Sequence, residues 1–144
     1  LILINLAEER EYCEKLMYAA QNQKTPTHSH KKKKEDIICR WGTLAIQLWN
    51  GTPGDAPGRP FSLKVNGETR SVTSGEILHL RAGERVTLEP GGYHQFWPES
   101  DECIIGEVST QNDDTNDNFF VNPDIGRYSD IEEDEPAVVK LLNE

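Results

Sequence analysis

The chain has 144 residues, enough for one domain with a single core, and its 25 acidic against 15 basic residues give a net charge of −10. Phosphate backbones repel such a chain unless its cations gather on one face, and apart from Lys31, Lys32, Lys33 and Lys34 they are scattered singly, which argues against nucleic acid as a partner. The opening apolar run "LILINL" is far shorter than the ~20 residues needed to cross a bilayer, so no membrane span or secretory segment is expected.

Residues 1–20, "LILINLAEEREYCEKLMYAA", suit a helix by propensity. Yet "YCEKLMY" also alternates, with Tyr12, Glu14, Leu16 and Tyr18 on one face and Cys13, Lys15 and Met17 on the other, so periodicity leaves helix and strand open. From residue 25 the pattern is β. Leu44, Ile46 and Leu48 recur at period two, and "TPGDAPGRP" is too rich in Gly and Pro to be anything but a loop. Asn66-Gly67 sits between "FSLKV" and "ETRSVT" as a tight hairpin turn. "EILHL", "ERVTLEP" and "DECIIGEVS" follow at short intervals, and many short strands split by turns predict a sandwich or barrel. The acidic tail "DIEEDEPAVVKLLNE" is expected on the outside, with Glu132 to Glu135 solvated. One domain over residues 1–144 is predicted. The chain lacks an initiator Met, which fits a processed chain or a piece of a longer one.

The three cysteines, Cys13, Cys39 and Cys103, are odd in number and contain no C-x-x-C, which argues for idle thiols in a reducing, cytoplasmic compartment. The histidines carry more. In a strand His28 and His30 point to the same side, as two imidazoles gripping one ion must. If Lys31 to Lys34 form the turn, Glu35 opens the return strand beside them and the lysines sit solvated at the rim. His94, after the turn in "EPGGYHQFW", supplies a fourth ligand. Three imidazoles and a carboxylate suit a divalent transition metal, and donor type alone does not choose among Mn, Fe, Co, Ni and Zn. His79, Trp49, Phe96 and Trp97 are expected as ordinary strand or core residues.

The run His28-x-His30-x4-Glu35-x6-Gly42 resembles the first motif of the cupins, and Gly83-x6-Pro90-Gly91-x2-His94 their second. Cupins are all-β barrels of two antiparallel sheets, with few short helices expected here and the metal inside. Five ordered blocks from about Tyr12 onward, "YCEKLM", "TPTHSHKKKKEDIICRWG", "GEILHLRAGERVTLEPGGYHQFW", "GEVSTQNDDTNDNFF" and "GRYSDIEEDEP", are similar to the D-lyxose isomerase family of sugar isomerases. That resemblance implies aldose–ketose isomerisation at one divalent metal per chain, usually manganese, in a homodimer. It places His28, His30, Glu35 and His94 as metal ligands, and Lys15 and Glu107 as catalytic residues. It also gives Asp117 as a substrate contact, and Arg127 stands as a candidate guanidinium for the pocket. Members often carry Trp where this chain has Lys31, Arg where it has Phe119, and an N-terminal extension that this chain is expected to lack. The expected reaction interconverts an open-chain aldose and ketose, such as D-lyxose and D-xylulose or D-mannose and D-fructose, through a cis-enediol. An iron-dependent cupin dioxygenase and a non-catalytic sugar-binding cupin are the alternatives.

Overall fold

The computed structural model describes residues 1–55, 57–113, 115–125 and 134–136. Twelve strands follow one another: β1 (Ile2–Glu8), β2 (Cys13–Ala20), β3 (His28–Ser29), β4 (Glu35–Trp41), β5 (Thr43–Asn50), β6 (Pro60–Val65), β7 (Glu68–Thr73), β8 (Ile77–Arg81), β9 (Arg85–Leu88), β10 (Gly92–Pro98), β11 (Glu102–Ser109) and β12 (Phe119–Phe120). They form a seven-stranded sheet of order β1-β2-β11-β4-β9-β6-β7 and a five-stranded sheet of order β12-β3-β10-β5-β8, with every pairing antiparallel. This is the expected cupin-type barrel. The few short helices expected are not among the described residues.

Residues 1–20, open between helix and strand by sequence, are β1 and β2. Pairing with β11 makes β2 a strand, and burial alternates along it. Cys13, Lys15, Met17 and Ala19 are buried while Glu14, Leu16, Tyr18 and Ala20 face outward, and no helix separates those two sets. The hairpin β6–β7 turns on Asn66 and Gly67 with φ of 53° and 85°, as a two-residue turn with both central residues left-handed demands. Gly42 joins β4 to β5 at φ +84°, and a Cβ there would lie 2.5 Å from the Glu102 carbonyl oxygen. The motif glycine is thus required by backbone conformation and by close packing together.

The inner faces of the two sheets meet in one core that includes Met17, Ile37, Ile46, Leu88, Phe96 and Ile105. All three cysteines are buried and free, as expected, and burial pushes the Cys103 thiol up to about 12. Phe96 is in the core, but Trp49 and Trp97 are only half-buried, and the Lys24 ammonium lies 3.9 Å over the Trp97 ring. His79 stands exposed on β8 with its Nδ1 2.8 Å from Glu99, an ordinary surface strand position. Asp134 and Glu135 are exposed, while the rest of the acidic run lies outside the described residues.

Candidate metal centre

One end of the core changes from apolar to ionisable side chains without any change of strand parity. On β2 the inward series runs Lys15, Met17, Ala19; on β4, Glu35, Ile37, Cys39; on β11, Glu107, Ile105, Cys103; on β10, His94, Phe96. Lys15 lies opposite Glu107 in the β2–β11 register, and His94 lies opposite His28 in the β10–β3 register. Strand pairing therefore delivers a polar layer on top of the core. It lines a cavity of about 170 Å³, walled on its other side by Leu1, Leu3, Met17, Phe96 and Phe120.

Three histidines converge in this cavity. One ring nitrogen each from His28, His30 and His94 lies within 4.8 Å of the others, the spacing of ligands around one ion. The second nitrogens set the tautomers. His28 Nδ1 donates to the Pro26 carbonyl at 2.8 Å, and His30 Nδ1 donates to the Asp117 carbonyl at 2.7 Å. A carbonyl only accepts, so each Nδ1 carries the proton and each Nε2 keeps its lone pair for the cavity. Glu35 Oε1 closes the group, 3.4 Å from His30 Nε2 and 3.2 Å from His94 Nε2. His30 Nε2 and Glu35 Oε1 are buried with no hydrogen-bond partner, a costly arrangement that a cation between them would resolve. Burial, with the neighbouring His94, lowers the His28 pKa to about 3, and burial, with His30, lowers that of His94 to about 3. Both rings are held neutral, as ligands must be. The donor set fits a divalent transition metal.

Beside the histidines lie two glutamates and two lysines. Lys33 Nζ is 2.9 Å from Glu35 Oε2 and 3.0 Å from Glu107 Oε1, and Lys15 Nζ is 3.8 Å from that same Glu107 oxygen. Lys15 also donates to Asn112 Oδ1 at 3.0 Å. Burial alone would lower the Lys33 pKa, but Glu35 and Glu107 outweigh it and raise the pKa above its ordinary value. Lys33 is only 4% exposed. This corrects the expectation that Lys31 to Lys34 form a solvated turn: Lys31, Lys32 and Lys34 are exposed, while Lys33 turns into the cavity. The physical reason lies in its partners: the buried carboxylates of Glu35 and Glu107, 2.9 and 3.0 Å from its Nζ, hold the ammonium inside.

Asp117, expected to touch substrate, lies behind the cavity with its carboxylate on the backbone amides of Lys31, Lys32 and Lys33. Arg127 lies outside the described residues. The two positions that depart from the resemblance meet each other: the Lys31 ammonium stands 4.0 Å over the Phe119 ring. Sequence reasoning missed Lys33, hidden in a run of four lysines, and Asn112, for which the sequence carries no signal.

The structure is similar to L-ribose isomerase from Cellulomonas parahominis with L-ribose, at a TM-score of 0.64 and 18% identity, over 85% of this chain and 69% of that one. That likeness carries the fold alone. The sequence is 42% identical over 137 residues to a D-lyxose/D-mannose isomerase of Escherichia coli O157:H7, and 40% identical over 137 residues to one of Serratia proteamaculans. Each match covers 92% of this chain and 60% of the relative, so the chain spans well under two thirds of the length of either. The D-lyxose isomerase family model matches residues 4–144, and the chain belongs to that family.

Proposed function

We propose that this chain supplies the active site of a metal-dependent aldose–ketose isomerase acting on an open-chain pentose or hexose such as D-lyxose or D-mannose. The observation that carries the reading is the pairing of Glu107 with two lysines beside a three-histidine, one-carboxylate group lining a single cavity. Family membership and the names of the relatives support it.

His28, His30, Glu35 and His94 would hold the ion, which when bound polarises the carbonyl and neighbouring hydroxyl of the sugar. The rest falls to the chain's own residues. Isomerisation moves one proton between C2 and C1 and another between their oxygens. Glu107 is the base: it takes the C2 proton of the aldose, leaving a cis-enediol, and returns a proton to C1. Glu107 Oε1 lies 3.0 Å from Lys33 Nζ and 3.8 Å from Lys15 Nζ. Lys15 is the acid that serves the oxygens, giving a proton to one and recovering it from the other. Lys33 stays paired to Glu35 and Glu107 and offsets the repulsion between the two carboxylates.

The test is incubation of the Mn2+-loaded protein with D-lyxose and with D-mannose, read for ketose. Ketose formation without oxygen uptake is expected. Oxygen consumption by the iron-loaded protein without ketose would favour the dioxygenase reading, and binding of sugar without turnover the non-catalytic one.

A further inference from the structure

Asp117 is 3% exposed, a buried carboxylate to which the proton transfers assign no task. Its partners are unusual in kind. Oδ1 accepts from the backbone N–H of Lys31 at 2.9 Å and of Lys32 at 3.1 Å, while Oδ2 accepts from Lys32 at 3.1 Å and Lys33 at 2.9 Å. Its main-chain oxygen accepts the Nδ1–H of His30 at 2.7 Å. Its own N–H donates to the Asp113 carbonyl at 2.9 Å, which ties the residue into its loop.

These contacts reach two parts of the centre at once. The segment from Lys31 to Lys34 belongs to no strand, and its far end is tied to Thr110, whose N–H donates to the Lys34 carbonyl at 3.0 Å and whose Oγ1 accepts from the Lys34 N–H at 3.1 Å. Ahead of that tie, three amides on one carboxylate fix the path from Lys31 to Lys33 through charge-assisted bonds. The Lys33 side chain enters the cavity from that segment and reaches Glu35 and Glu107. The bond to His30 Nδ1 meanwhile fixes the tautomer and tilt of a ring whose Nε2 lies 3.4 Å from Glu35. Burial pushes the Asp117 carboxyl up, but the amides of Lys33, Lys32 and Lys31 outweigh it and hold it below the usual carboxylate range.

We propose that Asp117 is a positioning residue that sets two groups from one loop: its carboxylate places the Lys33 ammonium, and its main-chain oxygen orients His30. It contacts neither metal nor sugar. The proposal rests on the reading of His30 as a ligand and of Lys33 as the partner of Glu107.

The test compares wild type with Asp117→Asn, which keeps the shape but turns an NH2 toward an amide N–H. Mn2+ affinity is measured by calorimetric titration of the metal-free protein, and kcat and KM for D-lyxose at saturating Mn2+. Mn2+ binding should weaken ~10-fold or more, the usual cost of losing a partner behind a metal ligand. The kcat should fall while KM stays within about twofold, as expected when an interaction specific to the transition state is lost. Unchanged Mn2+ affinity in the folded variant overturns the His30 half, and unchanged kcat at saturation overturns the Lys33 half. A rise in KM alone marks Asp117 as a substrate contact and overturns both. A wild-type protein without turnover defeats the isomerase reading, and the Mn2+ titration still reads the positioning role. If Asp117→Asn does not fold, Asp117→Ser, whose hydroxyl can accept from one amide, takes its place. Failure of both to fold at saturating Mn2+ makes Asp117 a folding element and ends the proposal.

Discussion

Lys33→Met removes one ammonium and leaves the rest of the cavity in place. In the native protein that ammonium lies 2.9 Å from one buried carboxylate and 3.0 Å from another, with Lys33 and Glu35 exposed by only 4% and 2%. Its removal leaves Glu35 beside the His30 and His94 rings at 3.4 and 3.2 Å and Glu107 with Lys15 at 3.8 Å, a longer contact. Removing one partner of a buried ion pair costs ~3–5 kcal/mol, because the stranded charge has neither water nor a counter-ion. Methionine has nearly the length of lysine and fills its space, so no cavity term adds to that figure. The assay is urea unfolding at neutral pH in the presence of chelator, with the slope checked so that only stability has changed. Mn2+ should shrink the difference, because an ion bound by Glu35 replaces part of the lost charge. Lys34→Met is the control: Lys34 pairs with Glu89, but the two side chains are 45% and 60% exposed, and such pairs contribute ~0–1 kcal/mol. If Lys33→Met falls within ~1 kcal/mol of wild type, indistinguishable from Lys34→Met, the buried-clamp reasoning is wrong.

Three more predictions follow from the same geometry. His28→Ala and His94→Ala should each lose most of the roughly one divalent ion per chain, and elemental analysis showing full occupancy in both would contradict the ligand set. Chelator should lower the melting temperature of the wild type, since an ion that binds only the folded state stabilises it. The metal-free protein should lose stability as pH falls from about 6.5 toward about 3, because the unfolded chain takes up protons on His28 and His94 that the folded one refuses. The slope approaches ~1.4 kcal/mol per pH unit for each proton, and a flat stability profile over that window in urea titrations, compared with the two alanine variants, would refute it.

Much of the centre was legible because strand geometry converts sequence spacing into direction. His28 and His30 share a side, Glu35 begins the next strand, and the turn before His94 returns it to the same layer. From residue 25 onward the barrel was legible at the level of strands and turns, since Asn66-Gly67 and the short alternating runs have few other solutions. The first twenty residues were not, because alternation in "YCEKLMY" coexists with good helix formers, and only the long-range pairing of β2 with β11 settles the choice. Lys33 was hidden by its neighbours. A run of four lysines reads as solvated when taken as a composition, and parity with Glu35 is shared by the exposed Lys31 and the buried Lys33, so alternation does not pick out the inward one. Asp117 was assigned to the pocket by resemblance. That its carboxylate bonds to backbone amides depends on a loop path between β11 and β12 that no local pattern encodes.

The central claim is that Glu107 moves a carbon-bound proton beside the ion. Wild type and Glu107→Gln, both loaded with Mn2+ and assayed side by side on D-lyxose and D-mannose in deuterated water, test it most directly. The account predicts equal metal content, ketose from the wild type with deuterium at C1, and a turnover lower by ~10²–10⁴-fold in the variant. Near-wild-type ketose formation by metal-loaded Glu107→Gln would contradict it.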